Sequence, residues 1–247
     1  SLLFLLALVG CGSSSQTSSG EMISESILKE PVQLRFATFT EGTAWYAYGA
    51  SIAELLRPQL PPGSSLDVLP LAGGVANPRL LQEGKADFAI NFAVNTRWAR
   101  QGRLIYETQA ESLRALVGAF DLYYLLVLAR QDLPIQSLKE LKETKMPVSL
   151  YTITVGGQGE QAARMLLEAL GLGYEDIKAW GGSVHNTSFD VIKTAFQDGR
   201  ADLLVHGTPK AHPSITEISV LSSVKFLSLP DDIARWLEQK YEMDLLV

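Results

Sequence analysis

The stretch of residues 34 to 60 reads LRFATFTEGTAWYAYGASIAELLRPQL. Its first five residues form a short apolar run that favours a buried strand, and apolar side chains recur at helical spacing from Trp45 onward. Pro58, Pro61 and Pro62 end that helix. A small turn rich in hydroxyl groups joins strand to helix. Because such a turn leaves the first N–H groups of the helix unpaired, it predicts a binding site for a carboxylate or another anion.

The same arrangement returns further along the chain. A strand over residues 148–151 runs into Gly156-Gly157-Gln158-Gly159, and a helix over 160–170 follows. A second pair of segments, 81–90 and 196–205, keeps the offset of 115 residues that separates Gly42 from Gly157. Each segment of this pair reads as a helix ended by glycine and followed by a strand. Two joints in register predict two similar lobes whose helix N-termini face a shared ligand.

Helices and strands alternate throughout, so the fold class is α/β, with the ligand beyond the carboxyl ends of the strands. The pattern also predicts strands over 113–119 and 123–129 that connect the lobes, and a strand near 177–180. Hydrophobic residues make up 47% of the chain, which is ample for two cores. The net charge is −6 and no basic block occurs, which argues against nucleic acid as a partner.

Cys11 is the sole cysteine of the chain, so neither an internal disulfide nor a cysteine-based metal cluster can form. The apolar run before it is too short to span a bilayer and ends in Leu8-Val9-Gly10-Cys11. This ending resembles the lipobox of bacterial lipoproteins, and it predicts a lipid anchor through Cys11 on a periplasmic or cell-surface protein. The alternative is a buried N-terminal strand with an incidental thiol. A complete signal would begin with Met and basic residues, so we expect that the start is missing.

The chain is expected to divide into six segments. They are an incomplete lipoprotein signal (1–11), a flexible Ser/Gly-rich tether (12–30), lobe 1 (31–122), a hinge crossing (123–134), lobe 2 (135–222) and a segment returning towards lobe 1 with a truncated C-terminus (223–247).

The order and spacing of the motifs resemble the TAXI family of solute-binding proteins of TRAP transporters, a branch of the type II periplasmic binding proteins. The matching positions lie between Leu34 and Leu229. They are Ala37-Thr38, Gly42, Trp45-Tyr46, Gly49, Gly73-Gly74, Asn77, Leu80-Leu81, Gly84, Ala86-Asp87, Ile135, Ser137-Leu138, Leu141, Gly156, Ala163, Leu166-Leu167, Gly171-Leu172, Asp198-Gly199 and Ala201-Asp202.

The resemblance implies a two-lobed receptor with a hinge of crossing strands. It implies that the receptor closes around a small organic anion, such as glutamate or another carboxylate, and passes it to ion-driven membrane subunits. Two departures leave the ligand open. Gly74 runs into Val75 where the family has a Ser, and Gly156-Gly157-Gln158-Gly159 replaces a Gly-Ser-Gly-Thr turn.

The candidate ligand-binding residues lie at the predicted strand-to-helix turns. They are Thr38, Gly42, Thr43, Trp45, Tyr46, Asn77, Asn91, Asn95, Gly157, Gln158 and Gly159. Each also has a structural interpretation. The threonines and Asn77 could cap their own helices, and the aromatic residues could belong to the core. Arg79 and Arg97 could clamp a carboxylate or lie solvated on the surface.

A rival interpretation is an NAD(P)-dependent oxidoreductase, because residues 157–162 fit the dinucleotide fingerprint after a strand. Against it, the acidic pair Glu175-Asp176 precedes the next predicted strand instead of ending it. A metal-binding receptor would need the histidines, but His185, His206 and His212 lack zinc-site spacing. No Gly-x-Ser-x-Gly elbow occurs. The sequence therefore predicts a protein with no catalytic residues, no metal and no cofactor.

Overall fold

The computed structural model describes residues 28–243 except 42, 72 and 119. The predicted signal segment, Cys11 and most of the predicted tether lie outside the described residues. The first sheet joins strands β2, β1 and β3 in that order, with both pairings parallel. These strands are β1 (Gln33–Ala37), β2 (Ser65–Leu69) and β3 (Phe88–Ala89).

Three helices connect and follow these strands: α1 (Ala44–Leu56), α2 (Asn77–Gln82) and α3 (Ala93–Gln101). A 3-10 turn (Arg57–Gln59) with Pro58 in its first turn follows α1, as the prolines predict. Gly102 ends α3 in the left-handed conformation, with φ of 62°. The cluster of Phe36, Trp45 and Leu66 packs this lobe together.

The second sheet joins β6, β5, β7, β4 and β8 in that order. Its strands are β4 (Tyr124–Arg130), β5 (Ser149–Ile153), β6 (Ser183–Thr187), β7 (Leu203–Thr208) and β8 (Val224–Phe226). Its helices are α4 (Leu138–Thr144), α5 (Gln158–Ala169), α6 (Tyr174–Ala179), α7 (Phe189–Gln197), α8 (Pro213–Leu221) and α9 (Asp231–Tyr241). The predicted α/β class is confirmed.

The internal repeat seen in the sequence is visible in the topology. The order β2-β1-β3 of the first sheet recurs as β6-β5-β7 in the second, again with parallel pairings. Helix α1 follows the central strand of the first set, and α5 follows the central strand of the second. Both helices therefore begin at the carboxyl edge of their sheet, where parallel strands bring their ends together.

The segments predicted to cross between the lobes take defined positions. Strand β4, within the predicted crossing 123–134, pairs antiparallel with β7 and β8 and so belongs to the second sheet. Helix α9, within the predicted return segment 223–247, packs on α5 of the second lobe and also reaches α3 of the first. There the rings of Trp98 and Tyr241 lie 5.7 Å apart. The boundaries of the lobes themselves stay a prediction.

Two local predictions are wrong. Of residues 177–180, predicted as a strand, 177–179 belong to helix α6 and Trp180 is its C-cap, because Gly173 starts a helix there and its N–H donates to the Asp176 carboxylate at 2.7 Å. The strand that follows α6 is β6, which begins at Ser183. The apolar run 113–119 contains no strand in its described residues, and Leu116 and Val117 are exposed. Among the described residues, no helix combines the length and apolar character needed to cross a bilayer.

Gly182 offers a test of the packing between α6 and β5. A Cβ at Gly182 would lie 2.4 Å from the carbonyl oxygen of Val148 and 2.9 Å from that of Ile177. Because these are backbone atoms, neither can move aside cheaply. We expect Gly182→Ala to lower the free energy of unfolding by about 1–3 kcal/mol in urea denaturation.

Gly118→Ala is the matched control for this substitution, since a Cβ there meets nothing within 4 Å. The control should leave the free energy of unfolding unchanged or slightly higher, because alanine restricts the unfolded chain. Equal stability of the two variants would contradict the close approach of Gly182 to Val148.

Candidate functional site

A cavity lies between the two lobes, at the edge where α1 and α5 begin. Its volume is about 50 Å³. The side chains and backbone around it are mostly aromatic or apolar, and they come from both halves of the chain. They are Phe39, Thr43, Ala44, Trp45, Gly74, Phe92, Tyr123, Ile153, Gln158, Phe189, His206, Gly207 and His212.

The wall from the first lobe is an aromatic cluster at the start of α1. Thr43 caps this helix, and its Oγ1 accepts a hydrogen bond from the N–H of Tyr46 at 3.4 Å. The ring centroid of Phe92 lies 4.6 Å from that of Trp45 and 4.8 Å from that of Tyr123. Burial raises the pKa of the Tyr123 hydroxyl to about 12, so this residue stays neutral. The wall is therefore apolar and uncharged.

The wall from the second lobe is built on the first turn of α5. Gly157 occupies the N-cap position and supplies no side-chain cap, so the first-turn N–H groups of this helix keep their capacity to bind an acceptor. Gly159 lies in that turn, and a Cβ there would stand only 2.2 Å from Nδ1 of His206. The absence of a side chain at Gly159 lets the imidazole pack directly against the helix start.

His206 and His212 flank Phe189 on this wall. The Phe189 ring lies 4.9 Å from the His206 ring and 5.0 Å from the His212 ring. His206 is 5% exposed, and burial, followed by the neighbouring His212, lowers its pKa to about 3. Burial also lowers the pKa of His212. Both imidazoles are therefore neutral at physiological pH. Within the described residues, Nδ1 of each ring and Oε1 of Gln158 have no hydrogen-bond partner.

One buried hydrogen bond joins the lobes beside the cavity. Nδ2 of Asn95 on α3 donates to Oε1 of Gln161 on α5 at 3.2 Å, and also to the carbonyl oxygen of Gly74 at 3.0 Å. Asn95 is fully buried and Gln161 is 7% exposed. Since a gap between the lobes would break this bond and expose both amides, the structure represents a closed cleft.

The structure places the predicted ligand-binding residues differently with respect to the cavity. Thr43, Trp45 and Gln158 line the cavity. Gly157 and Gly159 belong to the start of α5 beside the cavity, and Asn95 donates to Gly74, which lines it. Asn91 does not line the cavity but directly precedes Phe92, which does. Tyr46 is not among the residues that line the cavity, and Gly42 lies outside the described residues. The remaining two, Thr38 and Asn77, have internal roles.

Thr38 and Asn77 hold the ends of the first sheet. The hydroxyl of Thr38, which is fully buried, donates to the carbonyl oxygens of Leu69 and Phe39 at 3.1 Å. Nδ2 of Asn77 donates to the carbonyl oxygens of Thr38 at 3.0 Å and Ile90 at 2.9 Å. The predicted N-cap role of Asn77 is wrong, because Ala76 is the N-cap and makes no side-chain bond.

The arginines considered as carboxylate clamps point elsewhere. Arg79 donates to the carbonyl oxygen of Ile105 and lies 5.5 Å from the Tyr106 ring. Arg97 pairs with Glu242 at 3.2 Å. No residue that lines the cavity is formally charged at neutral pH. In the described part of the chain, no group of three or more His, Cys, Asp or Glu side chains is arranged to hold a metal ion.

The sequence analysis missed Phe92, Phe189, His206 and His212, although the repeat contained a signal for three of them. The offset of 115 residues that relates the two helix starts also relates Gly74 to Phe189, Asn91 to His206 and Phe92 to Gly207. Equivalent positions of two lobes that face each other meet at one cleft. If the offset had been applied to every predicted strand end, it would have identified Phe92, Phe189 and His206.

The buried histidine predicts a dependence of stability on pH. Burial in the folded protein lowers the pKa of His206 from its ordinary value of 6.5 to about 3, so the unfolded chain takes up a proton first as the pH decreases. The free energy of unfolding should therefore fall as the pH decreases from about 6.5 towards 3. Urea denaturation at pH 7.5, 6.5 and 5.5 should show this fall in the wild type and a smaller one in His206→Gln.

His185→Gln is the control for this measurement, because the ring of His185 lies exposed outside the cavity. It should keep the wild-type pH dependence. An identical pH dependence in His206→Gln and the wild type would contradict the assignment of a buried, neutral imidazole.

Comparison with known proteins places the fold. ProX, the glycine betaine/L-proline-binding protein of an ABC transporter from Borrelia burgdorferi, matches with a TM-score of 0.57 and 15% identity over 84% of this chain and 77% of its own. The aliphatic sulphonate binding protein SsuA from Escherichia coli matches with a TM-score of 0.46 and 16% identity over 85% of this chain and 64% of its own. A binding protein of an ABC phosphonate transporter from Pseudomonas aeruginosa matches with a TM-score of 0.48 and 12% identity over 85% of this chain and 74% of its own. No curated protein sequence matches significantly.

The likeness to ProX shows the two-lobed fold of the periplasmic binding proteins. A family model described as NMT1-like matches residues 36–245, which is most of the chain. The chain is therefore a member of the NMT1-like family.

Proposed function

We propose that this protein is a non-catalytic, extracytoplasmic solute-binding receptor that holds a small organic anion between its lobes and delivers it to membrane transporter subunits. One observation carries the proposal. The two turns that start α1 and α5, one in each lobe, line the same cavity through Thr43 and Gln158. A cleft built in this way binds its ligand by closing on it, which is the mode of binding that hinged two-lobed receptors use.

The electrostatics of the cleft favour an anion. The cavity lining contains no carboxylate that would repel a negative ligand, and the first turn of α5 directs N–H groups and the positive end of the helix dipole towards it. Such a helix end stabilises an anion by roughly 0.3–1 kcal/mol when exposed and by up to about 2 kcal/mol when partly buried. Closure shuts out water and strengthens this attraction.

The rival oxidoreductase finds less support. One water needs about 10–15 Å³ of cavity volume, so a cavity of about 50 Å³ holds only a few waters. A dinucleotide requires a much larger volume. The acidic pair Glu175-Asp176 lies in the first turn of α6. A ribose-binding carboxylate would instead stand at the end of the second strand of the unit.

We further propose that the membrane partner is a TRAP-type transporter and that Cys11 carries a lipid anchor. The TAXI resemblance supports the first part and the lipobox-like ending Leu8-Val9-Gly10-Cys11 supports the second. The closed shape, stabilised by the bond between Asn95 and Gln161, would be the form that the membrane subunits recognise. Uptake driven by an ion gradient without ATP would separate this transporter type from an ABC transporter.

Ligand binding can be tested by thermal unfolding with a panel of small organic acids and with NAD. At a hundred times its Kd a ligand stabilises the fold by about 2.7 kcal/mol, which corresponds to roughly 5–10 °C in Tm for a chain of this size. We expect at least one organic acid to produce such a shift and NAD to produce none. A shift with NAD alone would favour the oxidoreductase, and no shift with any organic acid would contradict the receptor.

The anchor can be tested by metabolic labelling with an alkyne fatty acid in a bacterial host that expresses the complete gene. The wild-type protein should be labelled and recovered with the membrane fraction. Cys11→Ser should be unlabelled, because the thiol is the only acylation site that the lipobox offers. Equal labelling of both proteins would contradict the assignment of Cys11.

A further inference from the structure

We infer that the ligand of the cleft is a planar aromatic monocarboxylate of about one ring, and that His206 provides a side-chain contact for its carboxylate. This inference rests on the proposed function and narrows its ligand class. It sets aside acidic amino acids and dicarboxylates, which the family resemblance had suggested.

The walls of the cavity are suited to a flat apolar body. Trp45, Phe92 and Tyr123 form one side, and Phe189 with the two imidazoles forms the other. Aromatic rings on both sides leave a slot in which a planar ring gains contact on both of its faces. At about 10–15 Å³ for each water, the cavity of about 50 Å³ holds roughly three to five waters. Together these waters take up a volume comparable to that of a single ring with one carboxylate.

The charges around the cavity fit one negative group and no second charge. The lining residues offer neither an arginine for a second carboxylate nor an acidic residue for an ammonium group. A dicarboxylate or an amino acid would therefore bury a charged group without an ionic partner, which is costly. The aromatic walls would not replace the water that such a group loses.

One end of the slot is equipped for the single carboxylate. The first turn of α5 presents its N–H groups there, and Nδ1 of His206 reaches the same turn, next to Gly159. His206 is 95% buried, lines the cavity and has no partner at Nδ1 among the described residues. A neutral imidazole can carry its proton on Nδ1 and donate it. A buried donor without an acceptor beside a helix N-terminus is the arrangement that a carboxylate oxygen completes.

Titration calorimetry with matched probes tests the inference on the whole chain. Benzoate and phenylacetate are the proposed class, benzamide and benzyl alcohol are the uncharged analogues, benzylamine is the cation, and succinate and L-glutamate represent the alternative acids. We expect benzoate or phenylacetate to bind at least tenfold more tightly than every other probe. The fluorescence of Trp45, which lines the cavity, should change on binding.

Two variants locate the contacts. Phe189→Leu should weaken phenylacetate binding at least fivefold, while Phe226→Leu, on an exposed Phe outside the cavity, should leave it unchanged. His206→Leu should reduce the preference for benzoate over benzamide at least fivefold. If His206→Leu does not fold, as judged by circular dichroism, Gly159→Ala tests the same point. Its added methyl displaces the imidazole and should weaken carboxylate binding.

The outcomes separate this inference from the function on which it rests. Tighter binding of succinate or L-glutamate than of the aromatic acids would overturn the ligand class and leave the receptor for organic anions standing. Equal binding of benzoate, benzamide and benzylamine would overturn the carboxylate contact. If no acid binds at all, the proposed receptor function itself fails.

Discussion

The constraint on which the cleft depends is the parallel pairing of strands within each half of the protein. Strand β1 lies between β2 and β3, and β5 lies between β6 and β7, always in parallel. Parallel neighbours end at the same edge of the sheet, so the turns that leave these three strands of each lobe lie together at that edge. Since the two edges face each other, the turns before α1 and α5 share one cavity. No residue of the site needs to be close to another in sequence.

This constraint explains how much of the site could be predicted from the sequence. Thr43, Trp45 and Gln158 follow their own strands directly, so local pattern was enough to place them at the cleft. Phe189, at the start of α7, and His206, within β7, line the cavity because the side on which they lie faces the other lobe. Which side faces the other lobe depends on how the two lobes pack, and the local sequence pattern does not predict it.

The errors of the sequence analysis have the same origin. Asn77 has the residue type and the position of a helix cap, and Pro78 after it strengthened that interpretation. In the folded chain its amide serves the carbonyl oxygens of Thr38 and Ile90, which belong to two different strand ends. Long-range pairing thus took precedence over local capping. The short apolar run at 177–180 was ambiguous between helix and strand, and the cap at Gly173 decided it.

The turn Gly156-Gly157-Gln158-Gly159 carries no side-chain hydroxyl, and its neighbour on strand β7 supplies the reason. A Cβ at Gly159 would lie 2.2 Å from Nδ1 of His206. The glycine and the buried histidine therefore belong together, since the imidazole occupies the space that a threonine would need. The ring of His206, from the neighbouring strand β7, thus fills the space that a side chain on the helix would need. This arrangement places one polar group, the imidazole, at the start of α5 and adds flat surface to the wall of the cavity.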